Sequence, residues 1–500
     1  MKNYTVKHFM LFTAVTAALL FTGLLFGCTQ TGAVDTPAQT GKEKAPIHFT
    51  DHDGREILLD GPCSRIISLY SAHTENLFSL GAGDLLIGDH RTSIYPPDTQ
   101  EIPTYDYNDD PETLIAAEPD LVLIRPYITR RVPEFVKALE MAGIPLVSLY
   151  PEKFAGFEDY INKLALLTGT EDAAAEQLAQ FYHKLEEITG LTKNIADQQN
   201  IFFEATTVNL RTVAADSLPA TAIALAGGVN VAADAKPIQK NSSIASFGEE
   251  RILALADEID VYVSQRGAMN ANSSLQTILA RPGFETIKAV QNRRVYIINE
   301  KIISSPTFRF HKGVRELARY LFPEIMDDLS PYRNNNPATK RDFANIMVRQ
   351  FHMPIYVPSS ANCYQENTGE HTYGCFADLT WQDEDFDCIE TVTLGGYIPY
   401  AAGNDGKQFF KPAAPVTREM LAKAVFMLGA FKPLGKGPTI NDLDQCTAPD
   451  LVQALVDSGV FSLHHGNFEP QRTVTNNEII EALSAVSYTA AEEVSGWLGW

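Results

Sequence analysis

Tyrosine and arginine recur in a few short stretches of this chain, each placed just after an apolar run. They are Tyr70-Ser71-Ala72-His73, His90-Arg91 through Tyr95, Tyr105-Asp106-Tyr107, and Arg125-Pro126-Tyr127 with Arg130 and Arg131. Arg211, Gln265, Arg266 and the run Ile303 to Arg309 fall in comparable positions later in the chain. Tyrosine offers a flat apolar face with a polar tip, and arginine a planar fork matched to carboxylate or phosphate. Such a set suits non-covalent recognition of a bulky ligand with aromatic and anionic surface. A single one of these side chains reads as a solvated loop residue; the clustering carries the argument. His73, His90 and His311 lack the clustered spacing of metal ligands, so no metal site is expected, with ligation of a metal or a haem by histidine or tyrosine kept as the alternative. No His-Glu-x-x-His or Gly-x-Ser-x-Gly signature is present, so no enzyme and no cofactor are expected.

Loops of this kind must be held by regular elements. Arg65 to Leu69, Leu121 to Ile124, Ile144 to Leu149, Ile201 to Glu204, Val261 to Val263 and Val295 to Ile298 are short apolar runs that predict strands, alternating with helical patterns such as Phe135 to Ala142 and Leu218 to Ala226. A βα alternation implies a mostly parallel sheet, with ligands beyond the carboxyl ends of its strands. Gly81, Gly83 and Gly88 follow a helix instead of opening one, so they predict a helix cap and a turn and not a nucleotide loop. From Glu171 to Gly190, Leu178, Phe181 with Tyr182, Leu185 and Ile188 recur at three- and four-residue steps, the period of an amphipathic helix. Thr170 and Glu171 are its expected start and Gly190 its expected stop. On either side stand two versions of one pattern, PETLIAAEPDLVLI and EERILALADEIDVYVS, with Glu250 falling where Glu112 does and Ile259 where Leu121 does. The expected fold is therefore α/β, two Rossmann-like lobes joined by one long helix.

Composition bounds the partners. With 500 residues and a formal charge of −22, the chain is large enough for several cores and too acidic for nucleic acid or an anionic membrane face. Lys2 and Lys7 precede an apolar run from Phe9 to Phe26 that ends in Leu25-Phe26-Gly27-Cys28, the pattern of an export signal. The last four residues resemble a bacterial lipobox with Cys28 as the lipidated residue; an uncleaved membrane anchor is the alternative. Both place the bulk of the chain outside the cytoplasm.

After Asn334-Asn335-Asn336-Pro337 the texture changes. Thr339-Lys340-Arg341-Asp342, Thr417-Arg418-Glu419-Met420 and Thr475-Asn476-Asn477-Glu478 each open an apolar-periodic helix, the sign of a repeat module. Cys363, Cys375, Cys388 and Cys446 fall here without zinc spacing. In an exported protein disulfides are expected, or free thiols where oxygen is absent; Cys63 is expected to be a buried thiol. The expected organisation is 1–27 leader, 28–45 linker, 46–168 first lobe, 169–192 bridging helix, 193–326 second lobe, 327–337 linker and 338–500 mostly helical repeats.

Residues 46–326 resemble the substrate-binding proteins of ABC importers for ferric siderophores, haem and vitamin B12, on RIISLYSAHTENLFSLGAGDLLIG, PETLIAAEPDLVLI, GGVNVA, EERILALADEID and the stretch Arg293 to Glu324. The resemblance implies two rigid lobes, a ligand in the cleft between them, and a glutamate on each lobe, Glu112 and Glu250, that docks onto the permease. It implies a ligand site drawn from Tyr70, Ser71, His73, Arg91, Tyr95, Tyr105, Tyr107, Arg125, Tyr127, Arg130, Arg211, Arg266 and Arg309. Arg309 matches an arginine that follows the last strand in relatives, and Tyr105 falls where an aromatic of the vitamin B12 binders does. An iron chelate (ferric siderophore or haem) is the expected ligand and a corrinoid the alternative; an enzyme on a chelatase-like fold and a wall-structural protein are the other readings kept. The C-terminal third resembles S-layer homology repeats, which implies attachment to a cell-wall polymer through Asp378, Trp381 and Arg418; Lys340 and Asn476 replace the family's arginine in the outer repeats.

Overall fold

The computed structural model describes residues 45–486 apart from 241, 327, 357–372, 430, 433, 434 and 436. Cys28 and Cys363 lie outside the described residues, which from Ala45 onward form one compact unit. Among them no helix is long and apolar enough to cross a membrane.

A hairpin of β1 (Ile47–Thr50) and β2 (Glu56–Leu59) leads into the first lobe. There β3 (Ile66–Ser68), β4 (Leu86–His90), β5 (Thr104–Tyr105), β6 (Leu121–Ile124) and β7 (Leu146–Ser148) form a parallel sheet in the order β5-β4-β3-β6-β7. The strand runs are unbroken in hydrophobicity because helices cover both faces, and Leu121 to Ile124 are all buried. Those helices are α1 (Ser71–Ser79), α2 (Pro111–Ile115), α3 (Pro126–Arg131), α4 (Pro133–Met141) and α5 (Phe157–Thr168). Gly81 stops α1 in the left-handed region at φ 73°. Gly88 is not at a turn: it lies inside β4, where any Cβ would run into the Tyr105 ring.

The helix α6 (Glu171–Thr192) joins the lobes. Ala174, Leu178, Phe181, Leu185, Ile188 and Thr192 line its buried stripe at alternating steps of four and three. Gly190 does not end it: its position faces open space, and the helix runs on to Thr192. The second lobe holds β8 (Asn200–Glu204), β9 (Thr212–Val213), β10 (Val229–Asn230), β11 (Lys236–Pro237), β12 (Ile244–Ser246), β13 (Val261–Arg266) and β14 (Val295–Asn299). Its parallel sheet runs β10-β8-β13-β14, with a small antiparallel sheet β11-β12-β9 beside it. Here α7 (Leu218–Leu225), α8 (Glu249–Ala254), α9 (Leu275–Leu279), α10 (Lys288–Gln291), α11 (Glu300–Ile303) and α12 (Phe310–Leu321) complete the lobe. The strand after the short helix pairs with the first strand of each lobe, β6 with β3 and β13 with β8, so the second sheet repeats the first without a counterpart of β5. One apolar core runs through both lobes along α6 and includes Phe157, Phe181, Ile201 and Phe310.

Beyond α12 the chain is not a loose connector: Leu329 and Tyr332 pack on the next core, and Asn334 accepts the Asn477 N–H. The C-terminal module comprises α13 (Lys340–Gln350), α14 (Phe386–Leu394), a hairpin of β15 (Ala401–Ala402) and β16 (Gln408–Phe409), α15 (Arg418–Leu428), α16 (Pro449–Asp457) and α17 (Asn476–Ser484). Thr339, Thr417 and Thr475 cap α13, α15 and α17, each hydroxyl accepting a backbone N–H three residues on. The segments carrying these caps also pair with one another, through Thr339 and Pro415, Thr417 and Thr473, and Pro337 and Thr475. Three segments thus close a ring of backbone bridges. Cys388 and Cys446 are thiols and not disulfide partners; burial pushes Cys388 up to about 12 and Cys446 to about 11.

Candidate ligand-binding cleft

The carboxyl ends of β3, β4, β5 and β6 carry a continuous strip of rings. His90 stacks on Tyr107 with centroids 5.3 Å apart, and Tyr107 meets Tyr127 edge-on at 6.4 Å. Next in the strip is the Arg125 guanidinium, 4.9 Å from the Tyr127 centroid and 4.5 Å from that of Tyr70. Tyr150, from the loop after β7, follows at 6.1 Å from Tyr70. The strip exists because each of these strands ends in, or is followed within two residues by, an aromatic or arginine, and parallel neighbours bring those ends side by side.

The arginines expected in the cleft divide by what they already hold. Arg91 is engaged by Asp106 at 2.9 Å and Asp109 at 2.7 Å. Burial alone would raise the Asp106 carboxyl, but hydrogen bonds from Asn108 together with His90 and Arg91 hold it below its ordinary value. Burial lowers the His90 imidazole against the pull of Asp106, so the ring enters the stack neutral. Arg309 does not face the cleft: it is buried, and its Nε and Nη2 donate to Glu75 at 2.7 Å each. Arg130 is exposed on α3, while Arg211 and Arg266 stand half-buried at the ends of the loop after β8 and of β13. Arg125 differs from Arg91 and Arg309 in being half-buried between two ring faces with no carboxylate partner among the described residues.

Other expected positions are displaced by packing. His73 is inside α1 and fully buried; its Nε2 donates to the Ile124 carbonyl at 3.0 Å, so its Nδ1 accepts from the Tyr160 hydroxyl at 2.7 Å. Burial lowers it to about 3, and the ring stays neutral. Tyr95 is buried against the C-terminal module, its hydroxyl donating to the Trp381 carbonyl at 3.3 Å. Tyr105 lies half-buried over Gly88. Ser71 accepts from Lys301 Nζ at 3.0 Å. Lys301 and its neighbour Glu300, absent from the expected set, close the floor of the cleft from the second lobe. Burial lowers the Lys301 amine, and Glu300 accepts the Met269 N–H at 2.9 Å. A charged pair directly after an apolar strand was the available signal.

The seam behind this floor is closed. Asn76 Nδ2 donates to the Pro306 carbonyl at 2.9 Å, and the space left among Ser71, Glu75, Tyr95, Lys301, Thr307 and Arg309 is ≈ 10 Å³, about the room for one water. A recess of ≈ 340 Å³ opens instead beside the ring strip, lined by His52, Pro126, Tyr150, Glu152 and Asp159 among others. Lys153 and Asp216, 3.1 Å apart and exposed, link the lobes at the surface. Glu112 and Glu250 are exposed in the first turns of α2 and α8.

The side chains expected to hold a wall polymer serve the fold. Asp378 accepts the Phe410 and Lys411 N–H groups, and Asp442 does the same for Phe468 and Glu469, so the carboxylate fixes a turn that the module repeats. Arg418 is buried over Phe468 at 5.0 Å and donates to the Ser462 carbonyl at 2.5 Å. Trp381 packs edge-on against Phe78 and Tyr95 of the first lobe.

Residues 66–302 match the profile of the family described as Periplasmic binding protein. An uncharacterised ABC transporter substrate-binding lipoprotein of Bacillus subtilis is 24% identical over 318 residues, 62% of this chain and 97% of its own length. A vitamin B12-binding protein of Vibrio campbellii is 26% identical over 278 residues, 55% of this chain and 94% of its own. Among solved structures, a possible iron-binding (periplasmic solute-binding) protein of Staphylococcus epidermidis aligns at 24% identity and a TM-score of 0.46, covering 52% of this chain and 99% of that one.

Proposed function

We propose that the protein is the extracytoplasmic solute-binding component of an ABC importer, and that its cargo is an iron chelate, a ferric siderophore or haem, received between the two lobes. Arg125 carries this reading. A guanidinium clamped between two ring faces is already oriented, so little freedom remains to be lost when it meets an anionic group, and the flanking rings offer flat apolar area to the rest of the ligand. The relatives named as vitamin B12 binders and the length of the ring strip favour a corrinoid as the second reading. Lipidation at Cys28 and delivery to a membrane permease belong to the same proposal. Attachment to a wall polymer through the C-terminal module belongs to the proposal as well, with the exposed Asp378 as the most accessible of the three expected contacts, Asp378, Trp381 and Arg418.

The test is a thermal-shift screen of the full chain against haem, ferrichrome, ferric enterobactin and cyanocobalamin. A true ligand raises the midpoint by mass action, and at a hundred times its Kd the gain is about 2.7 kcal/mol. Arg125→Ala should weaken that ligand about tenfold or more, the worth of a charge-assisted contact. No shift with any of the four compounds would overturn the ligand class.

A further inference from the structure

The C-terminal module lies beyond the family match, yet it grips the cleft's supporting seam from both sides. Ile94 and Tyr95 belong to the first lobe by sequence but are buried in the module's apolar core and not in that of their own lobe. We infer that Trp381 and Asp387 are positioning residues for the cleft, acting through Tyr95 and Lys312 on the seam where Glu75 meets Arg309. This goes beyond the proposed ligand and does not depend on its identity.

The seam sets the cleft's width because its members adjoin the cleft residues in sequence. Ser71 follows Tyr70, and Lys301 follows Glu300; their mutual hydrogen bond, with Asn76 to Pro306 and Glu75 to Arg309, ties α1 to the segment from Glu300 to Arg309. From the first-lobe side, Trp381 holds Tyr95 by a carbonyl at 3.3 Å and by ring contact at 5.9 Å. The Tyr95 ring in turn lies under the Arg309 guanidinium, 3.6 Å from its centroid. From the second-lobe side, Asp387 on α14, itself buried, pairs with Lys312 on α12, three residues past Arg309. Asn299 Nδ2 also donates to the Ile355 carbonyl at 3.3 Å. The chain passes between the lobes once, through α6, which leaves rocking about that helix as the soft motion. A third body bonded to the first lobe at Tyr95 and to the second at Lys312 of α12 opposes it.

Hydrogen exchange of the full chain, read by mass spectrometry, tests the assignment. In Trp381→Ala and in Asp387→Ala, peptides covering 71–79 and 300–309 should exchange on the order of tenfold faster than in wild type, while peptides covering β6 and β13 keep their protection. Trp381→Phe should restore the seam by refilling the ring contact. Tyr95→Phe, which removes only a hydroxyl and leaves packing intact, should loosen the same two peptides to a smaller degree, and it covers the case in which an alanine variant fails to fold. Wild-type protection of the seam in these variants would overturn the inference, and so would a loss spread evenly over both sheets.

Discussion

Asp89 sits fully buried in β4, one residue before the ring strip begins, and burial pushes its carboxyl up to about 8 against a contact from Ser93. A carboxyl that stays protonated in the fold but ionises when unfolded binds its proton more tightly in the native state. Its contribution is complete below the ordinary value near 3.8, shrinks as pH rises, and is lost by about 8. Asp89→Asn should therefore leave stability nearly unchanged at pH 4 and raise it at pH 8 by on the order of 5 kcal/mol, read from urea unfolding at the two pH values. An equal effect at both would refute the protonated state. Glu75 matters through its pairing with Arg309. Glu75→Gln leaves Arg309 buried without a counter-charge and should cost about 3–5 kcal/mol in the same assay. Sequence reasoning named Arg309 as a cleft cation and did not see Glu75, 234 residues away. Periodicity and spacing report neighbours on one element; a partner so distant leaves no local trace.

At the level of elements, the strands and the long helix were readable because their signals are local. A buried parallel strand needs an unbroken apolar run, and an amphipathic helix needs its stripe, so Leu121 to Ile124 and Leu178 to Ile188 declared themselves. Glycine was misread twice for one reason: it permits a turn without requiring one. Gly88 serves close packing by Tyr105, and Gly190 is a tolerated passenger on the open side of α6. The stripe of α6 makes a direct prediction. Phe181 is buried with ring centroids of Phe157, Phe308 and Phe154 at 4.9, 6.0 and 6.2 Å, contributed by both lobes. Phe181→Ala should cost about 3–5 kcal/mol, a cavity between lobes that cannot collapse without moving one of them. A loss below 1 kcal/mol in chemical denaturation would mean that the lobes do not share that core.

Over the whole molecule, Glu112 and Glu250 stand exposed in the first turns of α2 and α8, one on each lobe. If they meet a permease, reversing both to lysine should abolish uptake of the ligand by whole cells while its affinity for the purified protein stays within about twofold, since rim charges act on partner encounter more than on a separate pocket. A matching fall in affinity would place them in the cleft instead. The seating of the C-terminal module on both lobes was beyond the reach of sequence, since Tyr95 and Trp381 lie 286 residues apart. The ring of bridges among residues 337–339, 415–417 and 473–475 bears on how that module yields under load. Its opening segment is hydrogen-bonded to its closing one, so traction on the downstream side cannot peel helices away singly. The three caps must shear together, and the module should rupture in one step when stretched.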